Sequence, residues 1–215
     1  WDRYADDPSG TFDGVDPAFN TYYRQRKQAS EKFIRYQRDR YDENVAYADA
    51  LVGRIMEMLR DQGRYDDALV ILLADHGEAF FEHGYFEHRK TVHEEVLKIP
   101  MEIKWPADTT GYISVVEQHV SLVDLAPTLV DGLGISDVGA QFQGVSLLPA
   151  VLDDAPTDRA LYAVTRPSDR IPHPARALYR GPKKLILDEN SAPHLYDLSL
   201  DPMEQHNRAR AEPVV

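Results

Sequence analysis

The densest chemistry in the chain lies in one run, Asp75-His76-Gly77-Glu78. An adjacent Asp and His offer a hard oxygen and an imidazole nitrogen to one divalent cation, or to two neighbouring ones. Gly77 would let the backbone turn sharply beside them, and Glu78 would orient a ligand from behind. The same dipeptide equally suits an Asp that caps the following loop beside a surface His, so spacing alone leaves both readings open. Downstream, His83, His88 and His93 share a short window with Glu82, Glu87, Glu94 and Glu95. A loop crowded with imidazoles and carboxylates suits metal binding or proton transfer to a leaving group. It also suits a loop that its Glu residues keep solvated, and at most one or two of the three His are expected at a ligand.

Other chemistries lack their residues. The chain has no Cys, which excludes disulfides, thiolate metal sites and a cysteine nucleophile within it. There is no Gly-x-Ser-x-Gly elbow, no Gly-x-x-x-x-Gly-Lys-Ser/Thr loop and no Gly-x-Gly-x-x-Gly. With 24 Lys+Arg against 36 Asp+Glu the net charge is −12, and such a chain repels phosphate backbones, so nucleic acid is not an expected partner. The 43% hydrophobic content suffices for a packed core. No apolar run approaches the ~20 residues of a membrane-spanning helix; the longest, Ala68 to Ala74, suits a buried strand.

That strand is the element that must position the Asp-His pair. In open α/β sheets ligands sit just beyond the C-terminal ends of strands, which is where Asp75 and His76 fall. Before it, Val45, Ala48, Val52, Ile55 and Leu59 recur at helical spacing, predicting a helix over Asp42–Gln62 with one buried stripe, closed by Gly63. A more solvated helical segment is expected over Phe19–Arg40, and an irregular loop over residues 1–20. After the His-rich loop, Glu94–Lys104 reads as a strand placed at an edge or a bulge by Pro100. Ser121-Leu122-Val123-Asp124 has the form of a capping box, opening a helix whose stripe is Leu122, Leu125, Leu129, Val130 and Leu133, with Pro127 disturbing its first turns. Short strand-like runs then follow at 159–164, 175–179, 183–187 and 195–198. The expected fold class is α/β: a mixed, largely parallel sheet flanked by helices over residues 1–155, and a small C-terminal antiparallel sheet subdomain over 156–215.

Several of these segments resemble one family in register. Tyr41-Asp42-Glu43-Asn44-Val45, Asp66-Asp67-Ala68-Leu69-Val70, Ala74-Asp75-His76-Gly77-Glu78, Glu82-His83-Gly84, Glu94-Glu95-Val96 with Ile99-Pro100, Ser121-Leu122-Val123-Asp124, and Leu195-Tyr196-Asp197-Leu198 with Asp201, Glu204 and Asn207 are similar to the sulfatases of the alkaline-phosphatase superfamily. The match runs in order from about residue 41 to 210. The resemblance implies hydrolysis of sulfate esters by a formylglycine nucleophile made from Cys or Ser, with a single divalent cation, usually calcium, magnesium and manganese being the alternatives. It implies Asp75 as a metal ligand, His76 on the metal or at the sulfate, and His88 at the sulfate and the leaving group. Lys184 and Tyr196 resemble structural parts of the C-terminal sheet. The implied partner is a sulfated small molecule or a sulfated glycan.

The resemblance also exposes what these residues lack. The family's first metal-binding Asp pair and its Cys/Ser-x-Pro-x-Arg nucleophile motif are not in the chain, and Thr165-Arg166-Pro167-Ser168-Asp169-Arg170 only approaches the latter, with Thr first and one residue too many before its final Arg. The chain opens on Trp1, not Met, so it is expected to be the C-terminal part of a sulfatase, inactive alone and inclined to self-associate through an uncovered sheet edge. Two alternatives stand beside this one. A phosphodiesterase or phosphonate monoester hydrolase of the same superfamily would use the same cation site, because sulfate and phosphate groups are both tetrahedral oxyanions. A non-catalytic binding subunit would need no cation at all. The substrate and the compartment are not encoded in these residues.

Overall fold

A computed structural model of the chain describes residues 29–88, 90–109, 115–135, 141–153, 159–165, 174–189 and 191–211. The loop expected over residues 1–20, the Phe19 end of the first helical segment and residues 166–170 of the near-motif lie outside them. Contacts divide the described chain into two units. One comprises residues up to Ala68 with Glu78–Glu87; the other comprises Leu69–Gly77 and the residues from His88 onward.

The first unit is a long helix carrying a hairpin. Helix α1 runs from Glu31 to Asp61, one 31-residue element where the sequence suggested two. Ser30 starts it, its hydroxyl accepting the Phe33 N–H at 3.2 Å. Glu31 in the first turn and Arg60 in the last complement the helix dipole. Nothing between the two expected segments breaks helical geometry, and Arg40 pairs with Glu43 one turn on at 2.7 Å. Gly63, at φ +65°, closes the helix in the left-handed conformation. The expected buried stripe is corrected. Val45 and Ile55 are about half exposed, at 51% and 50%, and the buried residues of α1 are Tyr36 and Glu43. The reason is where the partner packs. Strands β1 (Val70–Leu73) and β2 (Ala79–Phe80) follow α1, and β2 pairs antiparallel with β3 (Phe86–Glu87). This hairpin covers the first half of the helix through Phe33–Phe86 and Tyr41–Phe80 edge-on contacts at 5.3 and 5.2 Å. Phe86, fully buried there, contributes about 1.5–3 kcal/mol of transfer free energy.

The second unit holds β1 and all that follows His88. β1 pairs antiparallel with β4 (Met101–Lys104), in the register Val70↔Lys104 to Leu73↔Met101. All strand pairs among the described residues are antiparallel. The single strand expected over Glu94–Lys104 is instead a short helix, α2 (Glu94–Leu97), followed by β4, with Pro100 just ahead of the strand. A proline there costs no ladder bond.

Ser121 and Asp124 do form the capping box, Asp124 Oδ2 accepting the Ser121 N–H at 2.9 Å. The turn they close is a 3-10 turn, Leu122–Asp124, continued by α3 (Leu125–Gly132). Pro127 has no N–H to donate back to Val123, which is why the first turn is not α-helical. The buried face here is Asp124, Pro127 and Thr128, while Leu122 and Leu133 are exposed, so the expected apolar stripe is corrected as well. Asp124 is wholly buried because it is a clip: its Oδ1 accepts the Val145 N–H at 3.0 Å and its Oδ2 pairs with Arg159. The Thr128 hydroxyl accepts the Leu147 N–H at 2.9 Å just ahead of α4 (Leu148–Asp153).

The C-terminal sheet follows the sequence closely. β5 (Leu161–Val164), β6 (Arg176–Arg180), β7 (Lys183–Leu187) and β8 (His194–Asp197) form a four-stranded antiparallel meander in sequence order. Alternation sorts its faces, so Ala177, Tyr179, Lys184, Ile186 and Tyr196 point inward. The core cluster comprises Val92, Ala175, Ala177, Tyr179, Ile186, Tyr196 and Leu198, with Leu97, Leu161 and Ala163 against it. Val92 precedes α2 and Leu97 ends it, so the core that holds the sheet also holds the segment after His88.

Candidate metal and oxyanion site

The turn leaving β1 carries Asp75 and His76, and both lie within the second unit. Asp75 Oδ1 accepts the backbone N–H of His76 at 3.0 Å, which folds the carboxylate back over the turn. The His76 ring is oriented by its other neighbour: Nδ1 lies 2.8 Å from the carbonyl oxygen of Gly77. A carbonyl only accepts, so Nδ1 carries the proton and Nε2 presents a lone pair in the neutral ring. Nε2 lies 3.7 Å from Asp75 Oδ1. Two electron-rich atoms at this separation, with no proton between them in the neutral ring, suit a cation bound at ~2.0–2.6 Å from each. The hydrogen bond from the far ring nitrogen to a carbonyl is the arrangement that fixes a metal-binding imidazole. The donor set therefore fits a divalent cation. The two side chains are also open to solvent, at 86% and 40% exposure.

His88 joins this pair. Its ring stacks on that of His76 with centroids 3.9 Å apart and planes 27° from parallel. Asp75, His76 and His88, the residues the family resemblance implies for the site, thus come together. The chain enters His88 through Glu87, held at φ +67°, a conformation uncommon for a residue with a side chain. Glu78, expected to orient a ligand from behind, lines instead a cavity of about 220 Å³ between α1 and the hairpin, with Gln37, Tyr41, Asn44 and Phe86.

Gly77 matters for a reason other than the one expected. Its φ is not in the left-handed region. Its backbone lies against α2, where the Gly77 N–H donates to Val96 O at 2.7 Å and a Cβ would fall 2.2 Å from Glu95 O. Only glycine permits that approach. His93 is not at the site. It is buried at the start of α2, with Nδ1 at 3.0 Å from Glu204 Oε2.

Glu94 and Glu204 were legible only as members of sequence motifs, yet they hold α2. Glu204 is fully buried and accepts the Glu94 N–H at 2.7 Å. Burial raises the affinity of Glu204 for a proton, but His93, Lys184 and the Glu94 N–H outweigh burial and hold its carboxyl below the ordinary range. Asp201 builds the turn that presents Glu204, accepting the N–H groups of Gln205 and His206 at 3.0 and 2.8 Å. Asn207 ties the same segment to β8 by accepting the Leu195 N–H at 3.0 Å.

The turn leaving β1 thus brings a carboxylate and two imidazoles together, and the helix that follows is anchored on the C-terminal antiparallel sheet. The family model Sulfatase matches residues 4–135, and a second, N-sulphoglucosamine sulphohydrolase, C-terminal, matches residues 81–214. The chain belongs to the sulfatase family. It is 28% identical over 190 residues to a choline-sulfatase of Rhizobium meliloti, a match that covers 86% of this chain and 35% of that protein. Among solved structures, one described as a complex with its substrate D-glucosamine-2-N,6-O-disulfate aligns with a TM-score of 0.69 and 27% identity, over 88% of this chain and 42% of that one. The phosphonate monoester hydrolase of Agrobacterium radiobacter aligns with a TM-score of 0.71 and 25% identity, over 85% and 39%. The chain thus spans roughly a third of the curated relative's length. No described helix is long and apolar enough to cross a membrane.

Proposed function

We propose that this chain is the cation- and leaving-group half of a sulfatase that hydrolyses a sulfated small molecule or sulfated glycan. The observation that carries the reading is the His76 ring: Nδ1 is tied to Gly77 O, and Nε2 lies 3.7 Å from Asp75 Oδ1. Asp75 and His76 would hold a divalent cation, calcium in the first instance, which would supply Lewis-acid stabilisation of charge on the sulfuryl oxygens. His88, stacked on His76, contacts the sulfate and serves the leaving oxygen. The nucleophile, a formylglycine in this reading, comes from sequence outside these 215 residues, which contain no Cys and no Cys/Ser-x-Pro-x-Arg motif. The domain boundary belongs near residue 155, ahead of β5.

The direct test is turnover of an aryl sulfate by the complete gene product, with and without a chelator, in the native form and as Asp75→Asn. Turnover that needs the cation and falls at least 100-fold in the variant supports the reading; chelator-resistant turnover that survives Asp75→Asn removes it. The likeness to a phosphonate monoester hydrolase keeps one second reading open, because the same pair of donors serves a phosphonate ester. An aryl phosphonate assayed in parallel separates the two.

A further inference from the structure

We propose that Lys184 and Glu204 are positioning residues: their buried ion pair fixes the start of α2, and α2 in turn fixes both the Asp75-His76-Gly77 turn and the segment that leaves His88. The inference concerns the geometry of the site and rests on the sulfate-ester reading only for its effect on turnover.

Lys184 is wholly buried on the inner face of β7. Its Nζ lies 2.8 Å from Glu94 Oε1 and 2.8 Å from Glu204 Oε1, and 5.0 Å from the centre of the Tyr179 ring. The Tyr179 hydroxyl donates to the same Glu94 oxygen at 2.6 Å. Glu204 Oε2 takes the Glu94 N–H and His93 Nδ1. The first residue of α2 is therefore gripped by side chain and backbone at once. Two residues on, the same helix receives Gly77: Val96 O accepts its N–H at 2.7 Å, and Glu95 O allows no Cβ there. His76, adjacent to Gly77, is aimed by the Gly77 carbonyl. The path from Lys184 to the His76 ring thus runs through close polar contacts and one short rigid helix.

Sheet stability alone does not call for this arrangement. Desolvating an ammonium and two carboxylates costs several kcal/mol per ion, and apolar residues of similar volume often replace buried ion pairs without loss. Ile186 shows that the neighbouring inward position of β7 accepts an apolar side chain. Glu204 also sits at φ +53°, a conformation uncommon outside glycine. Strain and desolvation at one point are expected where geometry, not burial, is the requirement. A displacement of about 1 Å in a reacting group can cost ~100-fold in rate, so a clamp on α2 is a clamp on catalysis.

The test uses the complete gene product as Lys184→Met, Glu204→Gln and Ile186→Val. Hydrogen exchange, read by mass spectrometry, follows the peptide containing Gly77 against a peptide from β5–β6. The two cluster variants are expected to speed exchange at Gly77 at least 10-fold and leave β5–β6 within about three-fold, while Ile186→Val changes neither. In turnover, kcat should fall at least 10-fold with KM within about two-fold. If Lys184→Met does not fold, Glu204→Gln decides, because it keeps the shape of the side chain while removing its charge and turning one of its two accepting atoms into a donor. Unchanged Gly77 exchange in a folded Glu204→Gln overturns the inference. Should no form of the protein hydrolyse a sulfate ester, the reaction assignment fails and the exchange result still decides the clamp.

Discussion

His88 lies flat against His76, ring centroids 3.9 Å apart, although a whole hairpin separates the two in sequence. The stack links a ring fixed by a backbone carbonyl to a ring on a segment anchored by the C-terminal core. Each of these supports can be removed separately, and each removal has its own signature.

The cation pair comes first. Asp75→Ala deletes the oxygen that lies 3.7 Å from His76 Nε2 and that also accepts the His76 N–H. Calorimetric titration of the native chain with calcium should show a single weak site, abolished in Asp75→Ala and weakened ~10–100-fold when the Gly77 contact that orients His76 is disturbed. A binding subunit with no catalytic ancestry would show no calcium heat in either form.

Gly77→Ala places a Cβ 2.2 Å from Glu95 O, so either the turn or α2 must move. We expect a loss of about 1–3 kcal/mol in urea unfolding together with calcium binding weakened ~10–100-fold. Gly53→Ala is the matched control. Gly53 lies within α1 with nothing within 4 Å of a Cβ, so the change should stabilise by about 0.5–1 kcal/mol.

How much of this was legible beforehand differs from residue to residue. A strand-end position marks Asp75 and His76 as a local pattern, whereas the dense His-carboxylate window does not separate His88 from His83 and His93, and only the family resemblance does; the four strands from β5 to β8 were readable because turn residues bound them. Lys184 was placed in the C-terminal sheet, and its inward position follows from alternation with Ile186; its partners, far away in sequence, do not. Periodicity misled at α1 and α3. A helical stripe says which residues share a face, not whether anything covers that face. In α3 the buried face is the polar one, because Asp124 and Thr128 satisfy backbone N–H groups of a distant loop. The sequence suggests Gly77 as a point where the backbone turns sharply, and only the neighbouring helix reveals it as a contact point.

The clip at Asp124 predicts a large structural penalty without a catalytic one. Asp124→Ala leaves the Arg159 guanidinium and the Ser121 and Val145 N–H groups without their shared acceptor. Removing one partner of a buried ion pair costs about 3–5 kcal/mol. Thermal unfolding should report that loss, while Thr128→Ser, which keeps the hydroxyl that accepts the Leu147 N–H, stays within about 1.5 kcal/mol.

The buried cluster also sets how stability depends on pH, and the two directions can be separated. Glu204 is held below its ordinary value: burial raises it, but the His93 bond, the Lys184 charge and the Glu94 N–H outweigh burial. Its contribution is present above the unfolded carboxylate range and is lost as pH falls through the lowered folded value. Glu204→Gln should therefore flatten the acid limb of a stability curve below about pH 4.3. Tyr196 is pushed up to about 12, first by burial and then by Glu204 and two further carboxylates. Its contribution is complete below the unfolded phenol value of about 10 and fades as pH rises from there toward the folded value. Tyr196→Phe should flatten that alkaline limb and leave the acid limb unchanged. Chemical denaturation of the two variants between pH 3 and 11 measures both limbs, and an acid limb that persists in Glu204→Gln would show that other carboxylates set it.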